Sequence, residues 1–155
     1  MKVAIGQDSH RFDFENNNNK NLILAGVIFE NEAPLLANSD GDVILHAVTN
    51  AISGITTKNI LGEVTGKLLK EGITDSKIYL KEALKYLDSK VIHLSISIEC
   101  KHPKISPKIN DMRRSLSTLL SLEENSIGIT ATSGEELTEF GKGNGINVFA
   151  CITVE

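Results

Sequence analysis

From Ile146 to Val154 every second residue is aliphatic: Ile146, Val148, Ala150, Ile152 and Val154. A period of two gathers these five side chains on one face of an extended strand, whereas a helix would scatter them around its axis. The alternate positions carry Phe149 and Cys151 beside Asn147 and Thr153, so the second face is not an ordinary solvent face. Helices are expected to cover one side, and the other is an expected meeting surface for a second subunit.

The remaining elements follow from the same two periods. Lys2 to His10 and Leu22 to Phe29 read as strands, separated by the polar tract Asn16 to Asn19, a surface turn. From Asp40 to about Ile55 the apolar spacing turns helical, with Val43, Ala47 and Ala51 on one face and Ile44, Val48 and Ile52 beside it. Asp75 to Asp88 repeats it with Leu80, Ala83, Leu84 and Leu87. Leu94, Ile96, Ile98 and Cys100 alternate as a strand. Pro107 then opens a helix with Ile109, Met112, Leu116, Leu119 and Leu120 at helical spacing. Ile127, Ile129 and Ala131 mark a further strand before the last. This order predicts an α/β chain of the α+β type: one mixed β-sheet with its helices on one face, in a single domain over residues 1–155.

Composition excludes several classes. Sixteen Lys and Arg against 20 Asp and Glu give a net charge of −4, not the basic surplus of a nucleic-acid binder. No apolar run approaches the roughly 20 residues of a membrane-spanning helix. Met1 to Gly6 reads directly as strand rather than as a secretion signal, so a bacterial cytoplasmic location is expected, without membrane partners. Cys100 and Cys151 form no C-x-x-C pair and are expected to be reduced and buried.

Asp8 and His10 lie two apart on a strand, so both side chains point the same way. His46 lies about one turn into the first helix, with Asp42 four residues earlier on the same face. An Asp-His-His set suits Zn²⁺, Mn²⁺ or Fe²⁺, and three protein ligands leave a tetrahedral Zn²⁺ one open position. Asp42 could then hold a ring N–H of His46. Spacing alone leaves scattered structural histidines as the alternative. Ser39 or Asp40 in Asn38-Ser39-Asp40-Gly41-Asp42 is a good N-cap, and a phosphate would be welcome at that helix end; an ordinary cap is the plainer reading. The loop Lys101 to Pro107 offers Lys104 and backbone amides to a phosphate or a base edge, or is simply a solvated basic loop. Thr130 to Glu135 ends a strand with hydroxyls, a Gly and a carboxylate that could hold a divalent cation bridging phosphates. Gly141 to Gly145 reads as a plain turn.

Taken together, Gln7-Asp8-Ser9-His10 with Phe12, Ser39-Asp40-Gly41-Asp42-Val43 with His46, Pro103-Lys104 with Met112-Arg113, and Ala131-Thr132-Ser133 with Glu135 resemble the 2-C-methyl-D-erythritol 2,4-cyclodiphosphate synthase family from end to end. The resemblance implies a homotrimer with sheets around a central axis and active sites between subunits. It implies a phosphorus-oxygen lyase of the non-mevalonate isoprenoid pathway that cyclises 4-diphosphocytidyl-2-C-methyl-D-erythritol 2-phosphate and releases CMP. By matching position, Asp8, His10 and His46 would hold Zn²⁺ (or Mn²⁺), and Glu135 a Mg²⁺ or Mn²⁺ on the substrate diphosphate. Cys100, Lys104, Ile105 and Ser106 would line the cytidine pocket. Ala131, Thr132 and Ser133 would contact the CMP phosphates, with Thr132, Glu135 and Asp42 as catalytic residues. Ser39 would bind substrate, and Asp42 would bind the erythritol hydroxyls or orient His46.

The chain departs from the family pattern in three places. Asn38 replaces a His, and Asn59-Ile60-Leu61-Gly62 replaces Gly-Asp-Ile-Gly, leaving Asn59 or Glu63 to substitute for the lost carboxylate. Gln7, Glu139 and Phe140 differ from the family's central-cavity lining, which bears on isoprenoid-diphosphate binding there. The missing His and Asp motivate a second reading, a non-catalytic trimeric nucleotide- or isoprenoid-binding relative that keeps the metal site. A zinc phosphohydrolase is a third.

Overall fold

The computed structural model describes residues 1–155. The C-terminal alternation forms β6 (Gly145–Val154), and β1 (Lys2–Arg11) lies antiparallel to it, Gly6 opposite Ala150 and His10 opposite Ile146. β4 (Val91–Glu99) flanks the other edge of β6, and β5 (Ile127–Thr132) runs parallel to β4, giving the order β1-β6-β4-β5. The parallel pair requires a crossover, supplied by α4 (Ile109–Leu120). Pro107 does not open that helix; it sits in a preceding 3-10 turn, Ser106–Lys108, where its missing N–H is not needed. The sheet is mixed and carries its helices on one face, as expected.

The face of β6 bearing Ile146 to Val154 is fully buried against those helices. On the opposite face Val3, Ile5 and Phe149 are 60, 68 and 44% exposed, an apolar stripe without cover from this chain. No helix is long and apolar enough to cross a membrane.

α1 (Val43–Thr56) is the central helix. Ten of its fourteen residues are buried, so it is enclosed on all sides rather than amphipathic. It begins at Val43 and not at Asp40, because Gly41 takes φ +77° and Asp42 is the N-cap. α3 (Ser76–Leu84) has Asp75 as N-cap and ends short of the expected Asp88.

Two further parts of the chain differ from the sequence expectation. Leu22 to Phe29 is a hairpin apart from the main sheet, β2 (Leu22–Leu24) and β3 (Val27–Phe29), turning at Ala25 and Gly26 with φ +55° and +76°. An eight-residue helix, α2 (Glu63–Lys70), follows α1, with only Thr65 buried.

The hairpin is tied to α1 by Asp42. Its Oδ1 accepts the N–H groups of Ala25 (2.9 Å) and Leu45 (3.1 Å), and its Oδ2 accepts that of Gly26 (2.7 Å). Burial raises the Asp42 carboxyl to about 6, outweighing those three donors, with Asp40's charge adding to the rise. The folded state therefore holds this proton more tightly than the unfolded chain. Asp42's contribution to stability falls as pH rises from about 4 to about 6, by a total of about 3 kcal/mol. A carboxyl-carbon NMR titration is expected to place the Asp42 midpoint near pH 6; a midpoint below 4 would show that the N–H donors prevail over burial.

Candidate metal centre and substrate clefts

The period of two on β1 turns Gly6, Asp8 and His10 toward α1, and α1 brings His46 from the other side. Asp8 Oδ2 lies 3.0 Å from both His10 Nε2 and His46 Nδ1, and the two ring nitrogens are 3.4 Å apart. A tetrahedral Zn²⁺ with bonds of about 2.0–2.1 Å separates neighbouring ligand atoms by about 3.3 Å. Two imidazole nitrogens and one carboxylate oxygen, converging at that spacing on three partly or fully buried residues, fit such an ion. Burial opposes ionisation of Asp8, but hydrogen bonds and charges from His10 and His46 prevail and hold its carboxyl at about 2. The bond to Asp8 raises His10 above its ordinary value, despite burial, and the Leu36 carbonyl adds to the rise.

The outer ring nitrogens are also engaged. His10 Nδ1 faces the Leu36 carbonyl at 3.1 Å, and His46 Nε2 faces Ser76 Oγ at 2.8 Å, with Ser39 Oγ farther off at 3.5 Å. Asp42 does not orient His46. As an N-cap its carboxylate folds back on the start of its own helix, and the residue is wholly buried with both oxygens occupied. That also removes it from contact with a substrate's hydroxyls. Ser76 had no signal in the sequence beyond its place after a good N-cap.

The three ligands open into a cleft of about 340 Å³, lined also by Asn38, Ser39, Leu61, Thr65 and Tyr79. Asn38 thus occupies the site where the family pattern has His. Ser39 is buried, its Oγ accepting the Gly41 N–H at 3.2 Å. Neither candidate replacement for the lost carboxylate reaches this cleft. Asn59 is exposed, and Glu63 projects to solvent beside Lys67, while Ile60 is buried in the core.

A second cleft, about 310 Å³, gathers Cys100, Lys104, Ile105 and Ser106 with Ala131, Thr132 and Ser133. Two distant segments meet here because β4 and β5 run parallel and end together. Lys101 and Lys104 both line the cleft; Lys101 is paired with Glu136 (2.9 Å), whereas Lys104 makes no ion pair, and His102 packs its ring on Phe12 (5.1 Å between centroids). Burial, with Glu32 and Glu99 nearby, pushes the Cys100 thiol up to about 11, so it stays protonated and lines the cleft as a small apolar group. Glu135 is exposed just beyond Ser133, whose Oγ accepts its N–H. Gly134, Glu135 and Glu136 all take positive φ (73°, 51° and 60°). Gly141 packs against Gly134 in the turn that leads into β6. The two clefts share no lining residue.

Known proteins identify the family of the chain. The sequence model of the YgbB family matches residues 1–155. A protein named 2-C-methyl-D-erythritol 2,4-cyclodiphosphate synthase from Chlamydia abortus is 52% identical, over 99% of this chain and 88% of its own. A solved structure of a 2C-methyl-D-erythritol-2,4-cyclodiphosphate synthase superposes with a TM-score of 0.87 at 26% identity, covering 99% of this chain and 100% of that one. A CDP complex of IspF from Plasmodium falciparum superposes at 0.83 with 26% identity, covering 99% and 94%. With the family pattern spanning every residue and a relative at half identity along nearly the whole chain, the protein belongs to the YgbB family.

Proposed function

We propose that residues 1–155 form one catalytic domain, a phosphorus-oxygen lyase that converts 4-diphosphocytidyl-2-C-methyl-D-erythritol 2-phosphate to 2-C-methyl-D-erythritol 2,4-cyclodiphosphate and CMP. The observation that carries this reading is the Asp8-His10-His46 cluster opening into a cleft beside Asn38 and Ser39. A Zn²⁺ held by that cluster would supply Lewis-acid charge at a phosphate oxygen, and a Mg²⁺ on Glu135 would offset charge on the departing CMP.

The residues do the rest by placement. Both reacting groups are phosphates on one molecule, so the 2-phosphate is itself the nucleophile and no protein base is required. One of its oxygens bonds to the β-phosphorus while the bond from that phosphorus to the α-phosphate oxygen breaks. CMP leaves with the electron pair, and no water is consumed. Lys104 with the amides of Ile105 and Ser106 holds the cytidine diphosphate end, and Ala131 to Ser133 face its phosphates. Asn38 and Ser39 line the cleft where the erythritol phosphate sits. Since the two clefts have no residue in common, and Val3, Ile5 and Phe149 lie uncovered on the sheet, a homotrimer with the second cleft supplied by a neighbour completes each site.

Metal-stripped protein given substrate, Zn²⁺ and Mg²⁺ is expected to release one CMP per substrate; no CMP would overturn the proposal. Lys104→Ala is expected to raise KM on the order of tenfold or more with little change in kcat, the loss of one charge-assisted contact to substrate. An unchanged KM in steady-state kinetics would remove Lys104 from the cytidine cleft.

A further inference from the structure

We propose that Ser76 and Asp40 are positioning residues that set which ring nitrogen His46 offers to the metal; this rests on the metal reading above. Asp40 binds Ser76 twice, Oδ2 accepting the Ser76 N–H at 3.0 Å and Oδ1 accepting the Ser76 hydroxyl. Oδ1 also accepts the Asp42 N–H at 3.1 Å. Both oxygens of Asp40 thus act as acceptors of backbone N–H groups. It therefore claims the single proton of the Ser76 hydroxyl.

What remains on Ser76 Oγ is a lone pair, and it faces His46 Nε2 at 2.8 Å. Only an N–H at Nε2 makes a bond there. A neutral imidazole protonated at Nε2 carries its lone pair on Nδ1, the atom 3.0 Å from Asp8 Oδ2 and 3.4 Å from His10 Nε2. The opposite tautomer would direct a proton into the ligand cluster and set two lone pairs against each other at Ser76. His10 reaches the complementary state more simply, with Nδ1 on the Leu36 carbonyl and Nε2 toward the cluster.

The relay also joins two segments that the chain separates. Ser76 is the first residue of α3, Asp40 lies in the loop before α1, and the Asp40 N–H donates to the Thr74 carbonyl at 2.9 Å. Tyr79, one turn into α3, lies 6.2 Å from the His46 ring and donates its hydroxyl to the Ile73 carbonyl at 2.6 Å. The N-terminus of α3 is thereby fixed against the outer edge of His46.

The test compares the full chain with Ser76→Ala, Asp40→Asn and Ser76→Thr. Zn²⁺ affinity is measured by competition with a chromophoric chelator, and the His46 Nε2–H proton is followed by NMR in the Zn²⁺-loaded protein. Ser76→Ala and Asp40→Asn are expected to weaken Zn²⁺ 10- to 100-fold, the usual loss when an outer partner of a histidine ligand is removed. The ring proton should move upfield in both, and Ser76→Thr should restore affinity and shift toward wild type. Wild-type affinity and an unmoved ring proton in Ser76→Ala and Asp40→Asn, alongside tight binding by the parent chain, would overturn the relay and leave the metal reading intact. A parent chain that binds no Zn²⁺ would overturn both.

Discussion

His46→Ala is expected to lose its bound metal and to lower kcat by about 10³-fold or more, on the scale of the several kcal/mol that a metal supplies to charge developing at a phosphate. Two remaining ligands, Asp8 and His10, sit on one strand and grip an ion from one side only. The ring of His46 is also buried, so its removal leaves a cavity and lowers stability by a few kcal/mol. His10→Ala separates the two effects. His10 is more exposed, with 22% of its side chain open to solvent, so it should lose the metal at a smaller cost in stability. Metal content by mass spectrometry, kcat and a thermal unfolding curve on both variants check this. Full turnover by either variant without bound metal would refute the ligand assignment.

Gly6→Ala should damage both the fold and the site. A β-carbon at residue 6 would stand 2.1 Å from the Ala47 carbonyl oxygen and 2.3 Å from the Ala51 nitrogen. Both atoms are backbone of α1, so no side chain can rotate away, and the helix must lift off the strand. Overpacking in a close-packed interior costs about 1–3 kcal/mol when side chains can adjust; here the cost should reach the top of that range or exceed it. The same displacement separates the ligands. Asp8 and His10 are the next two residues along that face of β1, and His46 immediately precedes Ala47. A loss of unfolding free energy of about 3 kcal/mol, with weaker Zn²⁺ binding in the fraction that folds, is the expected result. A variant as stable as the parent would show that α1 does not pack this closely.

The parts of the site that the sequence disclosed were those set by local period. Asp8 and His10 share a face because a strand repeats every two residues, and His46 follows from the helix that begins beside Asp42. The meeting of residues 100–106 with 131–133 was available only through the resemblance, since it depends on two parallel strands ending together. Ser76 was not legible: it touches His46 from 30 positions away, through the packing of α3 on α1. Asp42 was misplaced for a local reason. The spacing of four to His46 is right for one helical face, but an N-cap side chain turns back to its own first turn. The hairpin turn at Ala25 lacked the usual Asn-Gly or Asp-Gly signal. Its partner, the Asp42 carboxylate, comes 17 residues later. α2 was obscured by Gly66 in its interior and by its length of only eight residues, too short to display a sustained helical period.

The Asp8-His10-His46 cluster is expected to serve an internal phosphoryl transfer and not hydrolysis. Phosphorus NMR of the reaction mixture, with Zn²⁺ and Mg²⁺ restored to the protein, reads this directly. The expected products are CMP and a compound whose two phosphorus atoms couple to each other within one ring, with no inorganic phosphate. CMP accompanied by an open-chain bisphosphate, two uncoupled phosphate monoesters on the erythritol, would contradict this expectation.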